Sequence, residues 1–216
     1  MKALVLHPSV WALPVLAVLG GCAKSGEIDA TGGISAVRSA CPIVGVPAGT
    51  GDVTLFAPET SRDESAIDVV ASITNVRGAC ADATDQITST VTFEVRATRT
   101  RTEAPRDVVL PYFITMVRGG SNVVAKRVGR VSVHFDAGQA RASTTGQGIG
   151  YVSRAAATLP DEIRQQITRK RKAGDEDAAT DPLTKPEVRQ AVLRASFEAL
   201  VGFQLTDAQL RYNATR

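Results

Sequence analysis

Residues 87–98 read ITSTVTFEVRAT, which is the clearest strand pattern in the chain. Apolar or small residues occupy every second position from Ile87 to Ala97, and threonine, glutamate and arginine fill the positions between them. Alternation with a period of two places the two sets of side chains on opposite faces of a strand. The stretch therefore predicts a β-strand with one buried face and one face in water.

The same alternation recurs on both sides of this strand, between residue 41 and residue 151. Shorter strands are predicted at residues 53–56, 67–76, 123–128 and 131–135. Gly119-Gly120-Ser121-Asn122 is typical of a hairpin turn. Roughly seven short strands with no helix between them favour a mainly β fold, an antiparallel β-sandwich of Ig-like or fibronectin-like type, with C-terminal helices. A small barrel is the alternative.

Residues 108–117, VVLPYFITMV, form the longest apolar run of the predicted sheet region. Pro111 lies inside this run and has no backbone N–H group to donate to a neighbouring strand. We therefore expect this strand to lie at a sheet edge, to be bulged, or to begin after the proline.

The last third of the chain has helical patterns. Residues 160–172 predict a helix that begins with acidic residues and ends with basic ones. Thr184 and Glu187 have the spacing of a capping box, which predicts a helix from there to about Leu200. Thr206 is positioned to cap a final helical turn.

The N-terminus has the features of an export signal. Lys2 precedes an apolar stretch at residues 10–19, which is shorter than the roughly 20 residues of a membrane span. The stretch ends in Leu19-Gly20-Gly21-Cys22, which resembles the lipobox of bacterial lipoproteins. The resemblance implies cleavage before Cys22 and lipidation of its thiol, with palmitate-like acyl chains on the new amino terminus. The alternative is an ordinary secretory signal with a chance cysteine.

The resemblance also implies a location and a division of the chain. Ala23 follows the cysteine, where lipoproteins retained at the inner membrane carry Asp, so we expect the periplasmic face of the outer membrane. The predicted parts are a signal peptide, a flexible tether, the β-sandwich domain and C-terminal helical elements packed on the same domain. Their respective bounds are residues 1–21, 22–38, 39–155 and 156–216.

Cysteine usage agrees with export. With Cys22 lipidated, Cys41 and Cys80 remain, and an even pair in an exported chain predicts one disulfide. Two separate buried thiols are the alternative. A disulfide between them closes a loop of about 40 residues, which corresponds to roughly 4 kcal/mol in the chain-entropy treatment.

Composition limits the function classes. The formal net charge is +3, which is too small to indicate nucleic-acid binding, and 44% hydrophobic residues are enough for a packed core. LPYF at residues 110–113 and GFQLTDAQLRYN at residues 202–213 resemble a group of alphaproteobacterial envelope lipoproteins without assigned activity. That second resemblance supports the topology and implies no chemistry.

Catalytic and metal-binding patterns are weak. His134 is the single histidine after the signal peptide, and its position predicts the solvent face of a strand. Gly146-Gln147-Gly148-Ile149-Gly150 is interpreted as a flexible or bulged turn rather than a dinucleotide loop. The acidic residues Glu59, Asp63, Glu64 and Asp68 are interpreted as a solvated loop. We therefore expect no catalytic residue, no cofactor and no metal site.

Three stretches are candidate surfaces. They are the apolar run around Tyr112, the residues Arg96, Arg99 and Arg101 near a strand end, and the basic run Arg169–Lys172. The arginines are expected at a sheet edge, where charge discourages aggregation, and binding of an acidic partner is the alternative. The basic run is expected to be offset by the acids that follow it, and contact with anionic lipid or lipopolysaccharide is the alternative.

The sequence as a whole predicts a lipid-anchored envelope protein that acts through contacts, with an unidentified envelope protein as a possible partner and no nucleic acid. The alternatives are a periplasmic carrier of an apolar ligand such as lipid, and a cell-wall-acting enzyme.

Overall fold

The computed structural model describes residues 40–169, 172, 174–177 and 179–215. Two four-stranded, antiparallel-rich sheets pack together in this part of the chain, and short helices follow in the C-terminal third. The prediction of a mainly β sandwich with C-terminal helices is confirmed. The predicted signal peptide (1–21), the tether (22–38) and Cys22 lie outside the described residues.

The described residues form eight strands and four α-helices. The strands are β1 (Ile43–Gly45), β2 (Asp52–Phe56), β3 (Ile67–Asp82), β4 (Gln86–Arg99), β5 (Arg106–Arg118), β6 (Asn122–Phe135), β7 (Arg141–Ser153) and β8 (Phe197–Phe203). The helices are α1 (Arg154–Ala157), α2 (Asp161–Thr168), α3 (Pro186–Ala195) and α4 (Asp207–Thr215). The first sheet has the order β1-β8-β5-β6 and the second has the order β2-β3-β4-β7.

The core lies between the two sheets, and β4 provides the alternation that the sequence predicts. Its inward positions are all buried, namely Ile87, Ser89, Val91, Phe93, Val95 and Ala97. The facing sheet contributes β5 and β8 side chains, including Leu110, Met116 and Phe203. Burial of a large apolar side chain contributes about 1.5–3 kcal/mol, so these inward rows hold the sheets together.

Strand β5 is central, so the predicted edge position of the 108–117 run is wrong. It lies between β8 and β6, and it begins before the proline, at Arg106. Its ladder with β8 begins at the pair Tyr112 and Phe203. Pro111 sits at the end of that ladder, where its carbonyl still accepts from the Gln204 N–H (2.8 Å), so the missing N–H removes no hydrogen bond from the interior of the ladder.

The segment after α3 is a strand and not the end of a helix. Helix α3 ends at Ala195, and β8 pairs antiparallel with β5 and parallel with β1. The predicted helix to Leu200 is wrong because the residues after Ser196 alternate. Phe197, Ala199 and Val201 are buried toward the core, which is a strand period.

The predicted helix caps have mixed outcomes. The capping box at Thr184 is wrong, because its hydroxyl donates to the Asp181 carbonyl (2.7 Å) and the helix begins at Pro186. At α4, the Thr206 hydroxyl accepts from the Gln209 N–H (3.3 Å), and the Gln209 side chain accepts from the Thr206 N–H (2.9 Å). This reciprocal pair is a capping box, and it confirms Thr206 as the cap.

The disulfide between Cys41 and Cys80 is present, as the sequence predicts, with a Cα–Cα distance of 5.9 Å. It joins the residues before β1 in the first sheet to the exposed second half of β3 in the second sheet. A Cβ atom at Gly78 would lie 2.6 Å from Val44 Cγ1, so β1 packs directly against this part of β3.

Candidate interaction surface

The two sheets formed by the described residues end in four edge strands, and the structure protects these edges to different degrees. Strand β1 has 3 residues and is tied down by the disulfide. Strand β2 is covered by α4, where Tyr212 contacts the Phe56 ring with centroids 5.1 Å apart. The Asn213 amide donates to the carbonyls of Gly49 and Asp52, each at 2.8 Å. These two edges are closed to further strand pairing.

The β7 edge is held by close packing on β5. The Tyr112 hydroxyl crosses between the sheets and donates to the Gln147 carbonyl of β7 (2.6 Å). Burial raises the pKa of Tyr112. A Cβ atom at Gly148 would lie 2.5 Å from Ile114 Cδ1, and one at Gly146 would overlap the Phe93 ring. The glycines let β5 and β4 side chains touch the β7 backbone.

Gly146-Gln147-Gly148-Ile149-Gly150 therefore does not form a turn, and its interpretation as a flexible or bulged turn is wrong. Residues 146–150 lie inside β7, and Gly146, Gly148 and Gly150 all face the sandwich interior. Their spacing of two residues is a strand signal that the sequence interpretation missed. The contacts of Ile114, Met116 and Phe93 with these glycines fill the interior at this edge.

Strand β6 differs from the other edges in length and exposure. It has 14 residues, and from Asn122 to Arg130 each residue is exposed except Gly129, which is half-buried. The exposed fractions of Val123, Val124 and Val128 are 58%, 47% and 61%. A long, exposed, valine-rich strand at a sheet edge is a template for pairing with another chain.

The direction of the β6 backbone groups follows from Pro111. The Pro111 carbonyl accepts from the Gln204 N–H (2.8 Å), so the polar groups of Pro111 point toward β8. Arg130 lies directly opposite Pro111 in the antiparallel ladder, and this pair is therefore not hydrogen-bonded. The N–H and C=O groups of Arg130 point away from β5, and by alternation those of Lys126 and Val128 do the same.

The side chains of Lys126, Val128 and Arg130 share the outer face of the first sheet. Their partners on β5 are Thr115, Phe113 and Pro111. The Lys126 ammonium lies 4.9 Å from the centre of the Phe113 ring, which is a cation–π distance. Basic groups are thus interleaved with apolar ones along the open edge.

These charges have no acidic partner among the residues that the structure describes. Among the described residues, no carboxylate lies within ion-pair distance of Lys126, Arg127 or Arg130. Arg127 instead lies over the Tyr151 ring of β7 at 5.4 Å. The middle of β6 therefore presents a local excess of positive charge to solvent.

Comparison of the chain with protein-family models, with curated proteins and with solved structures gave no match. Within the described part of the chain, no helix is both long enough and apolar enough to span a bilayer.

The predicted arginine surface is largely structural. Strand β4 is internal to its sheet, so the expected edge position of Arg96 and Arg99 is wrong. Arg101 lies in the loop after β4, where its Nε atom is 3.8 Å from Asp68 Oδ1. Arg99 is 5% exposed, and its guanidinium donates to the backbone carbonyls of Gln139 (2.8 Å), Ala104 (2.7 Å), Asp136 (2.7 Å) and Thr102 (3.3 Å). It ties the β4–β5 loop to the β6–β7 loop.

Asp68 is buried, which corrects its assignment to a solvated loop. It lies on β3, and Arg106 of β5 binds its two carboxylate oxygens at 2.9 and 2.8 Å. The hydrogen bonds from Arg106 lower the pKa of Asp68, and burial opposes this effect. Glu59, Asp63 and Glu64 are exposed as predicted, so the four acids do not form one cluster.

His134 lies on the solvent face of β6, which confirms its predicted position. Its Nδ1 atom is 2.9 Å from Asp107 Oδ1, and its Nε2 atom is 3.4 Å from Asp136 Oδ1. The hydrogen bond to Asp107 raises the pKa of His134. No group of three or more metal-binding side chains occurs among the residues that the structure describes.

The basic run is partly described, since Lys170 and Arg171 lie outside the described residues. The Arg169 guanidinium binds Asp177 (2.6 Å), so this arginine has the acidic partner that the sequence predicts.

A groove of about 770 Å³ on the outer face of the second sheet was not predicted. It is lined by residues of β3, β4 and β7, among them Ser72, Thr74, Thr98 and Ser143. The Arg96 guanidinium is bound to Glu94 at its wall (3.0 Å). The hydroxyl-rich alternation of these strands is the sequence signal for this face, but it does not indicate a ligand.

Proposed function

We propose that this protein is a lipid-anchored protein of the bacterial cell envelope, held at the periplasmic face of the outer membrane through Cys22. The support is Leu19-Gly20-Gly21-Cys22 after a short apolar stretch, with Ala23 following it. Several acyl chains give durable attachment, because each buried methylene group contributes about 0.8 kcal/mol.

The observation that carries the proposed compartment is the disulfide. Cys41 and Cys80 are bonded, and they pair the cysteines that remain when Cys22 is lipidated. Disulfides persist in the periplasm and are rare in the bacterial cytosol. The disulfide and the signal-like N-terminus thus support export independently.

We further propose that the folded domain acts through contacts and not through catalysis. Its histidine is exposed and held between two aspartates, and the buried carboxylate of Asp68 is bound to Arg106. In the contacts described above, His134 has no nucleophilic hydroxyl or thiol beside it, and Asp68 has no second carboxylate beside it, as hydrolysis would require. The open β6 edge supports an interaction role.

The anchor is tested by intact-mass analysis of the protein purified from its native membrane. We expect a chain that begins at Cys22 and carries diacylglycerol and an amide-linked acyl chain. We expect Cys22→Ser to leave the membrane fraction or to accumulate uncut, while the control Ser25→Ala stays membrane-bound. An unmodified amino terminus, or unchanged fractionation of Cys22→Ser, would contradict the proposal.

The non-catalytic role is tested by incubating the purified protein with peptidoglycan and with a chromogenic ester. We expect no turnover above that of a heat-denatured sample. Turnover that is abolished by His134→Ala or Glu59→Gln would establish an enzyme instead.

A further inference from the structure

The β6 edge combines three properties that no other edge of the described sheets combines. It is long, its backbone groups at Lys126, Val128 and Arg130 point outward, and its valines are exposed on both sides of the strand. An extended segment laid beside it would gain main-chain hydrogen bonds and contacts with alternate side chains.

We propose that β6 binds an extended acidic segment of a partner protein, which adds a strand to the first sheet. This inference deepens the proposed contact function by naming a surface and a class of partner, and it rests on that function for its biological role.

The basic side chains of β6 determine which kind of partner segment can bind. Lys126 and Arg130 flank Val128 on the outer face, and Arg127 projects from the opposite face of the same strand. A segment with acidic residues opposite Lys126 and Arg130, and an apolar residue opposite Val128, would match this row. Opposite charges directly across an antiparallel pair contribute roughly 0.2–1 kcal/mol each.

The same charges disfavour a second copy of this chain as the occupant. In an antiparallel pairing of two β6 strands centred on Val128, Lys126 of each copy would face Arg130 of the other. Like charges directly opposite destabilise a strand pair. Basic residues on an edge strand thus prevent self-pairing, and they leave the edge available to an acidic strand.

A substitution at Val128 tests the backbone hydrogen bonds of the open β6 edge separately from its charges. The N–H of Val128 points outward, so Val128→Pro removes a donor of the open edge and leaves the β5 ladder intact. Pro111 occupies a comparable position in β5, at the end of its ladder with β8. Val128→Thr keeps the N–H and the branched shape, and it is the matched control.

The experiment measures fluorescence anisotropy of a labelled, end-blocked peptide with the full-length chain in a mild non-ionic detergent. Threonine occupies every second position of the peptide, and glutamate, valine and glutamate occupy the positions between, in that order. The two glutamates and the valine therefore share one face of the extended peptide. A second peptide has lysine in place of each glutamate. The detergent keeps the chain in solution whether or not Cys22 is acylated.

We expect the acidic peptide to bind, its affinity to fall with added salt, and the lysine peptide not to bind. Val128→Pro should weaken binding about tenfold, which corresponds to about 1.4 kcal/mol, while Val128→Thr stays close to wild type. Lys126→Glu should weaken binding by a similar factor, and Arg141→Glu, a charge reversal on β7, should leave it unchanged. Each variant is compared by its melting temperature to establish that it folds.

Three results would overturn the proposal. They are no binding of the acidic peptide to the wild-type chain at millimolar concentration, equal binding of both peptides, and binding that survives both Val128→Pro and Lys126→Glu. Concentration-dependent dimers that Val128→Pro abolishes would also overturn it, because the occupant would then be a second copy. None of these results would contradict lipidation of Cys22, and an unmodified Cys22 would not contradict the proposal for the β6 edge.

Discussion

Strands β2 and β6 both lie at sheet edges of the same sandwich, yet they are protected against further strand pairing in different ways. Helix α4 lies along β2, and Asn213 donates to the carbonyl of Asp52. No described element covers the outward groups of Lys126, Val128 and Arg130 on β6, where the protection against self-pairing is electrostatic. A covered edge is closed to every strand, whereas a charged edge is closed only to strands of like charge.

The disulfide closes the β1 edge, and its removal is the largest effect we expect. Cys41→Ser combined with Cys80→Ser should lower the free energy of unfolding by about 4 kcal/mol, because the loop it closes is long. Denaturant unfolding of wild type and variant measures the difference. Equal midpoints would mean that packing of β1 on β3 holds this edge without the disulfide.

The packing that closes the β7 edge is tested by Gly146→Ala. The added Cβ would overlap the Phe93 ring, which is itself packed against Tyr112 with centroids 4.9 Å apart, so the ring has little freedom to move. We expect a loss of about 2 kcal/mol in unfolding free energy. Thr145→Ala, on the outer face of the same strand, should change it by less than about 0.5 kcal/mol. Similar losses in both variants would show that β7 does not pack on β4 as described.

The covered β2 edge is opened by Asn213→Ala, which removes two hydrogen bonds to backbone carbonyls. The expected loss is about 1 kcal/mol, since the buried Oδ1 atom of Asn213 has no hydrogen-bond partner among the described residues and its removal offsets part of the cost. Asn213→Asp should cost more, because a carboxylate oxygen would then face the two carbonyls. Thermal or denaturant melts measure both, with exposed Arg211→Ala as the control. A smaller loss for Asn213→Asp than for Asn213→Ala would contradict the assigned amide orientation.

The smallest effect concerns the charged end of β6. Asp107 raises the pKa of His134 in the folded state, so its stabilising effect is complete below the ordinary histidine pKa of about 6.5 and is lost as the pH rises through the raised value. Asp107→Asn should lower the pKa of His134 in an NMR titration. Asp136→Asn should lower it less, because the interactions with Asp136 are the weaker ones. Equal shifts in the two variants would show that Asp107 is not the dominant partner.

Local patterns in the sequence predicted the sandwich, and features that depend on distant partners escaped it. The alternation from Ile87 to Ala97 specifies which face of β4 is buried, and the cysteine pair specifies a disulfide, because both signals are local or countable. The order of the strands in a sheet is neither local nor countable from the sequence. Pro111 suggests an edge, but β8 arrives from about 90 residues later in the chain and makes β5 central.

The candidate surface shows the same limit. Residues 123–128 were predicted as a strand, and their exposed edge could not be predicted, because exposure depends on which strands pair elsewhere. Basic residues interleaved with valines at Lys126, Arg127 and Arg130 were a usable signal for an edge strand. Arg99 shows the converse, since an arginine among threonines reads as exposed and proves to be buried against four carbonyls.

Amide hydrogen exchange along β6, followed residue by residue by NMR, tests the open edge most directly. The N–H groups of Ala125, Arg127 and Gly129 face β5 and should exchange slowly, while those of Lys126, Val128 and Arg130 should exchange at rates near those of an unprotected chain. Uniform slow exchange across all six residues would contradict the account, because the outward groups would then already have partners.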